Sequence, residues 1–249
     1  MNRLHAELER LYLGGLVFAT KDAQDLSLVD ARGRVRALVL EVAQPTGWDA
    51  LSEVWHGVQM ELELPAPGIA VSGRDGLQLW FSLQTAIPVD RARAFLEALR
   101  MRFLAHINPS RVRLWPTPEE PPRHAQLVPA LQADSGNWSA FVAPDLAAVF
   151  SETPFLDVEP GEEGQATLLR ALQPMTPAAL DEALAGMRAT ALPAPAPAPA
   201  PAPARITEPE PADTPEQDPR RFLLRVMNDE TAPLALRIEA AKALLPGPR

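Results

Sequence analysis

The chain of 249 residues contains no cysteine. It can form no disulfide, offer no thiol nucleophile and build no Cys-type zinc site, which fits a reducing compartment. Cationic side chains are also short: 23 Lys and Arg face 32 Asp and Glu, a formal net charge of −9. That balance argues against a broad, non-specific grip on a nucleic-acid backbone, which needs clustered Lys and Arg, and leaves room only for a local basic patch. No apolar run is long enough to span a bilayer. The N-terminal stretch Met1-Asn-Arg-Leu-His-Ala-Glu7 lacks the apolar region of a signal peptide. A cytoplasmic protein with no membrane partner is the expectation. His5, His56, His106 and His124 are scattered at no metal-ligand spacing. No G-x-S-x-G elbow exists to join Ser72, Ser139 and His124 into a triad.

What the chain does have is enough apolar content, 47%, to fill a sizeable core. Its organising stretch is Ile69-Ala-Val-Ser-Gly-Arg-Asp-Gly-Leu-Gln-Leu-Trp-Phe-Ser-Leu83. Gly73 and Gly76 bracket Arg74-Asp75, which suits a turn needing positive φ or a close approach of backbone or ligand. Leu77, Leu79 and Phe81 alternate with Gln78, Trp80 and Ser82, the period of a strand with two different faces. Apolar residues on both faces predict that the hairpin 69–83 lies centrally in a sheet. Arg74 could pair with a phosphate, helped by turn amides, or simply with Asp75.

Around the hairpin the pattern predicts an amphipathic helix from Asn2 to Leu13, strands at Leu16–Ala19 and Leu26–Val29, and an apolar strand from Val35 to Val42 that carries the acid Glu41. Trp48 to Leu62 reads as a helix ended by Pro65 and Pro67. Asp90 to Ala105 is a second helix, with Asp90 as its N-cap. Val112–Trp115 and Trp138–Val142 are short strands, and Pro144 to Phe150 starts a helical turn. Gln165–Leu172 and Pro177–Met187 are two more helices, the latter capped by Thr176. The fold class is therefore α+β (or α/β), a mixed sheet with helices around it. Trp48, Trp55, Trp80, Trp115 and Trp138 could stack on bases, though packing in the core and at its rim is the commoner use of tryptophan.

Composition divides the chain into three parts. Residues 1–192 form the α+β domain. Residues 193–217 form a linker, in which Pro193 to Ala204 alternates Pro and Ala. Such a run favours polyproline II, and its twelve or so residues would extend roughly 35–40 Å at about 3.1 Å each. Residues 218–249 read as a helical hairpin, with Phe222, Leu223, Val226 and Met227 in its first helix and Leu234, Ile238, Ala241 and Leu245 in its second. So small a core buries too little to offset chain entropy, so this hairpin should need another surface.

Two segments resemble known families. Ser72-Gly-Arg-Asp-Gly-Leu-Gln-Leu-Trp80 resembles the second motif of the archaeo-eukaryotic primase–polymerases, closest to the polymerase domain of bacterial end-joining ligases, where a Ser-Gly-x-x-Gly-x-His hairpin holds nucleotide phosphates. Leu38-Val-Leu-Glu-Val42 stands where that family carries paired metal-binding aspartates, and the intervening helix and the helix Asp90–Ala105 follow the family's order. The resemblance covers Val35 to Trp115 and implies a nucleotide-binding turn of Ser72, Gly73, Arg74, Gly76 and Gln78, with Glu41 at the metal-ligand position. The departures are specific. Val42 and Ala43 follow Glu41, Gln78 replaces the histidine, and no third acid stands on Val112–Trp115. Two-metal phosphoryl transfer needs paired oxygen ligands. The alternative pair, Glu61 and Glu63, sits too close to the hairpin to be the first motif. In the tail, the pattern FLLxVMND…LRIEAAKALLP resembles a C-terminal segment of some phage terminase small subunits.

Together these readings lead to a non-catalytic, nucleic-acid-associated binding or adaptor protein of a phage or integrated mobile element, without cofactor. Its protein partner would bind through Phe222, Leu223, Val226, Met227, Ile238 and Leu245. The alternatives are a nucleotidyltransferase using Mg²⁺ or Mn²⁺ around Glu41, Arg74 and Gln78, or a DNA-packaging or scaffold component recruited by the tail.

Overall fold

The computed structural model describes residues 2–14, 28–45 and 47–191. The linker, the C-terminal segment with its six partner-binding residues, and the strand expected at Leu16–Ala19 lie outside the described residues, as does the start of the one at Leu26–Val29.

The sheet has six antiparallel strands in the order β4-β1-β3-β2-β6-β5. These are β1 Arg34–Ala43, β2 Gly68–Val71, β3 Gly76–Pro88, β4 Val112–Trp115, β5 Ala130–Leu131 and β6 Trp138–Val142. The helices are α1 Arg3–Leu8, continued by a π-helical turn at Glu9–Leu13, α2 Gly47–Met60, α3 Val89–Phe103, α4 Glu162–Arg170 and α5 Pro177–Ala191. The fold is thus α+β, and the β2–β3 hairpin lies in its middle. Both strands of the hairpin are buried on both faces through Leu83.

Strand alternation sorts the side chains into two cores. Leu38, Leu40, Val71, Leu77, Leu79 and Phe81 point to one face, where Leu51, Val54 and Val58 of α2, Phe95 and Leu99 of α3, and Leu180 of α5 cover them. Ala37, Val39, Ala70, Trp80 and Phe141 point to the other, beneath Leu4 and Leu8 of α1, Tyr12, Leu169 of α4 and the segment Ala125–Val128. Tyr12 stacks on Phe141 with ring centroids 6.0 Å apart and meets Trp80 edge-on at 5.3 Å.

Several boundaries move from expectation, each for a local reason. Asp90 does not cap α3. The helix starts at Val89, directly after Pro88, and Asp90 sits in the first turn, where its charge suits the helix dipole. Thr176 does cap α5, its Oγ1 accepting from Ala179 N–H at 3.0 Å. At the first helix Asn2 supplies the cap, Oδ1 accepting from Leu4 N–H at 3.0 Å. Of the two hairpin glycines only Gly73 has positive φ, +77°. Gly76 is required by a close approach instead, described below.

A cleft at the mouth of the hairpin

The second face of the sheet is sealed over Trp80 and Phe141 but opens towards β4. There the strand register sets one row of cross-strand partners: Gln78 of β3 opposite Glu41 of β1, and Glu41 opposite Arg113 of β4. The row forms one floor of a cleft of about 650 Å³. The turn residues Ser72, Arg74 and Asp75, the edge residue Trp115, the segment His124–Val128 and the loop from Gln132 to Ser139 complete its walls.

Glu41 is the buried acid of this cleft, only 2% exposed. Its Oε2 accepts from Gln78 Nε2 at 2.7 Å and its Oε1 from Arg113 Nη1 at 2.5 Å. Gln78 is held in turn by Trp80, whose indole N–H donates to Gln78 Oε1 at 2.8 Å. Because an indole nitrogen can only donate, Gln78 must offer its oxygen to Trp80 and its NH₂ to Glu41. Burial pushes the Glu41 carboxyl above its ordinary pKa, against the opposing pull of Gln78 and Arg113. The Arg113 guanidinium also reaches Asp75 through two nitrogens at 2.8 and 2.9 Å. Arg113 therefore holds Asp75 below the usual carboxylate range, and both acids push Arg113 further up.

The turn is held from within. Ser72 Oγ accepts from Arg74 N–H at 3.1 Å and from Gly76 N–H at 3.0 Å, and Gly73 N–H donates to Pro154 O at 3.0 Å. Arg74 pairs with the facing loop rather than with Asp75: its Nε donates to Gln132 Oε1 at 2.9 Å and its Nη2 lies 3.4 Å from Asp134 Oδ2. A Cβ on Gly73 would stand 2.7 Å from Gln132 Cγ and 2.8 Å from the Ser139 nitrogen, so the loop packs directly on the turn.

His124 is partly buried at the inner end. Its Nε2 donates to Ala37 O at 2.9 Å, and desolvation pushes its pKa down to about 4. A ring with that pKa is neutral at pH 7, and its one N–H is engaged by Ala37 O.

The structure thus brings Glu41, Ser72, Arg74 and Gln78 together around one cleft, with Gly73 and Gly76 as its backbone. Glu61 and Glu63 lie away from it at the end of α2, Glu61 paired with Arg102 at 2.6 Å. Sequence reasoning missed Arg113, Gln126, Gln132, Asp134 and Asn137. For Arg113 a signal existed: alternation along Val112-Arg113-Leu114-Trp115 puts Arg113 and Trp115 on one face. The others come from loops with no period to read.

These donors do not fit a pair of divalent ions. Glu41 is the lone carboxylate on the strand, both its oxygens are taken, and a guanidinium bridges it to the next acid. Among the described residues no three His, Cys, Asp or Glu are grouped to hold a metal ion. Also among the described residues, no helix is long and apolar enough to cross a membrane. No known protein family and no curated protein matches the chain.

Proposed function

We propose that this chain is a non-catalytic binding module that works alongside nucleic acid, with a primase–polymerase-like domain whose cleft serves as a ligand pocket and not as a reaction centre. The observation that carries this reading is Glu41, whose two carboxylate oxygens are engaged by Gln78 and Arg113. Phosphoryl transfer by two metal ions needs open, paired oxygen ligands, and a permanent guanidinium bridging the acids competes for the same charge. The succession of strand, helix, hairpin, helix and strand from β1 to β4 supports the resemblance. So does the pairing of Glu41 with Gln78, the two motif positions, directly across the β1–β3 ladder.

The motif pattern of the tail supports a phage or mobile-element setting and a protein partner bound through Phe222, Leu223, Val226, Met227, Ile238 and Leu245. In this reading the domain recognises a ligand and the tail recruits the machinery that acts on it.

Primer-extension assays with labelled nucleotides and Mg²⁺ or Mn²⁺ test the proposal. The expected result is no incorporation, with or without template. Incorporation that disappears in Glu41→Ala overturns it.

A further inference from the structure

The charges of the cleft are already paired. Arg113 is shared between Glu41 and Asp75, and Arg74 between Gln132 and Asp134. The turn amides of Gly73, Arg74 and Gly76 donate to Pro154 O and Ser72 Oγ, so they form no open anion nest. An entering phosphate would have to share guanidiniums that already serve acids, and would face walls with three carboxylates against two guanidiniums.

What remains unpaired is neutral. Among the described residues, the side-chain carboxamides of Gln126 and Asn137 make no hydrogen bond to another protein group, and neither does the indole N–H of Trp115, although all three line the cleft. A carboxamide presents an acceptor beside two donors. That is the pattern that pairs with the edge of a nucleobase, and an indole face is the surface on which such a ring stacks. The cleft volume of about 650 Å³ falls in the range of roughly 300–1,000 Å³ that small-molecule sites occupy.

We infer that the cleft takes an unpaired nucleobase by its hydrogen-bonding edge, through Gln126, Asn137 and Trp115, and not a phosphate by its charge. This rests on the proposed function and names the ligand class of the same site. The base comes either from a free nucleoside or from a single strand, and both present the same edge.

Calorimetric titration of the full chain separates the possibilities. The probes are adenosine, guanosine, cytidine and uridine, their triphosphates without metal, inorganic triphosphate, and a mixed-sequence single-stranded oligonucleotide. At least one nucleoside should bind, its triphosphate within about threefold of it, with a Kd that barely moves between 50 and 200 mM salt, unlike contacts made to phosphate. Inorganic triphosphate should not compete. Gln126→Ala and Asn137→Ala should each weaken binding by about tenfold, and Asn137→Asp, which replaces the donors with acceptors, should change which base is preferred. Circular dichroism checks that each variant is folded. Binding of inorganic triphosphate and nucleoside triphosphates, but of no nucleoside, overturns the inference and leaves the proposed function standing. Silence towards every probe overturns both. An oligonucleotide at least about tenfold tighter than the nucleoside identifies strand bases as the source, since each further stacked base adds binding. Equal affinity identifies the free nucleoside.

Discussion

Gly76 lies against the side chain of Glu41: a Cβ at Gly76 would stand 2.8 Å from Glu41 Cγ and 3.0 Å from its Cδ and Oε1. Glu41 cannot swing aside, because Gln78 and Arg113 hold both of its oxygens. Gly76→Ala should therefore cost about 1–3 kcal/mol through overpacking. The same substitution in a Glu41→Ala background should cost much less, because the clashing atoms are gone. Urea melts of the four proteins give the coupling between the two sites. Equal costs in both backgrounds would disprove the packing argument.

Arg113 and Glu41 are unequal partners. The side chain of Arg113 is 43% exposed and that of Glu41 is 3% exposed. Arg113→Ala leaves a buried carboxylate without its cation, which should destabilise the fold by about 2 kcal/mol, below the 3–5 kcal/mol of a fully buried pair. Glu41→Gln added to Arg113→Ala should recover most of that loss. Arg113→Lys should fail to restore it, because an ammonium cannot serve Glu41 and Asp75 with the same fork. Denaturant midpoints of the three variants check this.

Acid stability should report His124. Its folded pKa, about 4, lies below the roughly 6.5 of an unfolded histidine. Between those values the unfolded chain holds a proton that the folded chain does not. Stability from His124 is thus full above pH 6.5 and falls as pH drops towards 4, by at most about 1.4 kcal/mol per pH unit. Glu41 acts in the opposite sense. Its raised pKa gives stability that is present at low pH and lost as pH rises through the folded value. Melts from pH 4 to 7 should show a flatter acid limb for His124→Gln than for the parent. In Glu41→Gln the parent's relative advantage should shrink as pH rises.

The central hairpin, the two-faced strands and the helices α2 to α5 were legible because burial on a sheet or helix face imposes a period on the sequence. Glu41, Arg74 and Gln78 were legible as a group only through the resemblance of their two segments to the motifs of primase–polymerases. Their partners were not. Arg113 meets Glu41 because β4 pairs with β1 in a register set by Val39 opposite Trp115, a long-range fact. Gln132 and Asp134 reach Arg74 because β5 pairs with β6 and carries their loop over the turn. The role of Gly76 was legible as a close approach, but not what approaches it.

Among the described residues, both hydrophobic cores draw their side chains from between Leu4 and Met187. The last described helix, α5, docks Leu180, Ala183 and Met187 into the first core, close to the domain boundary expected at residue 192. Deleting residues 193–249 should therefore leave the domain folded, its Tm moved by less than the roughly 2–4 °C that 1 kcal/mol gives at this size. The isolated peptide 218–249, with too little apolar area for a core of its own, should show little helix by circular dichroism. Its helical signal should rise when a partner supplies a surface for Phe222, Val226 and Ile238. A truncated domain that fails to fold, or a peptide strongly helical on its own, would make the tail a structural element and remove the basis for assigning it to recruitment.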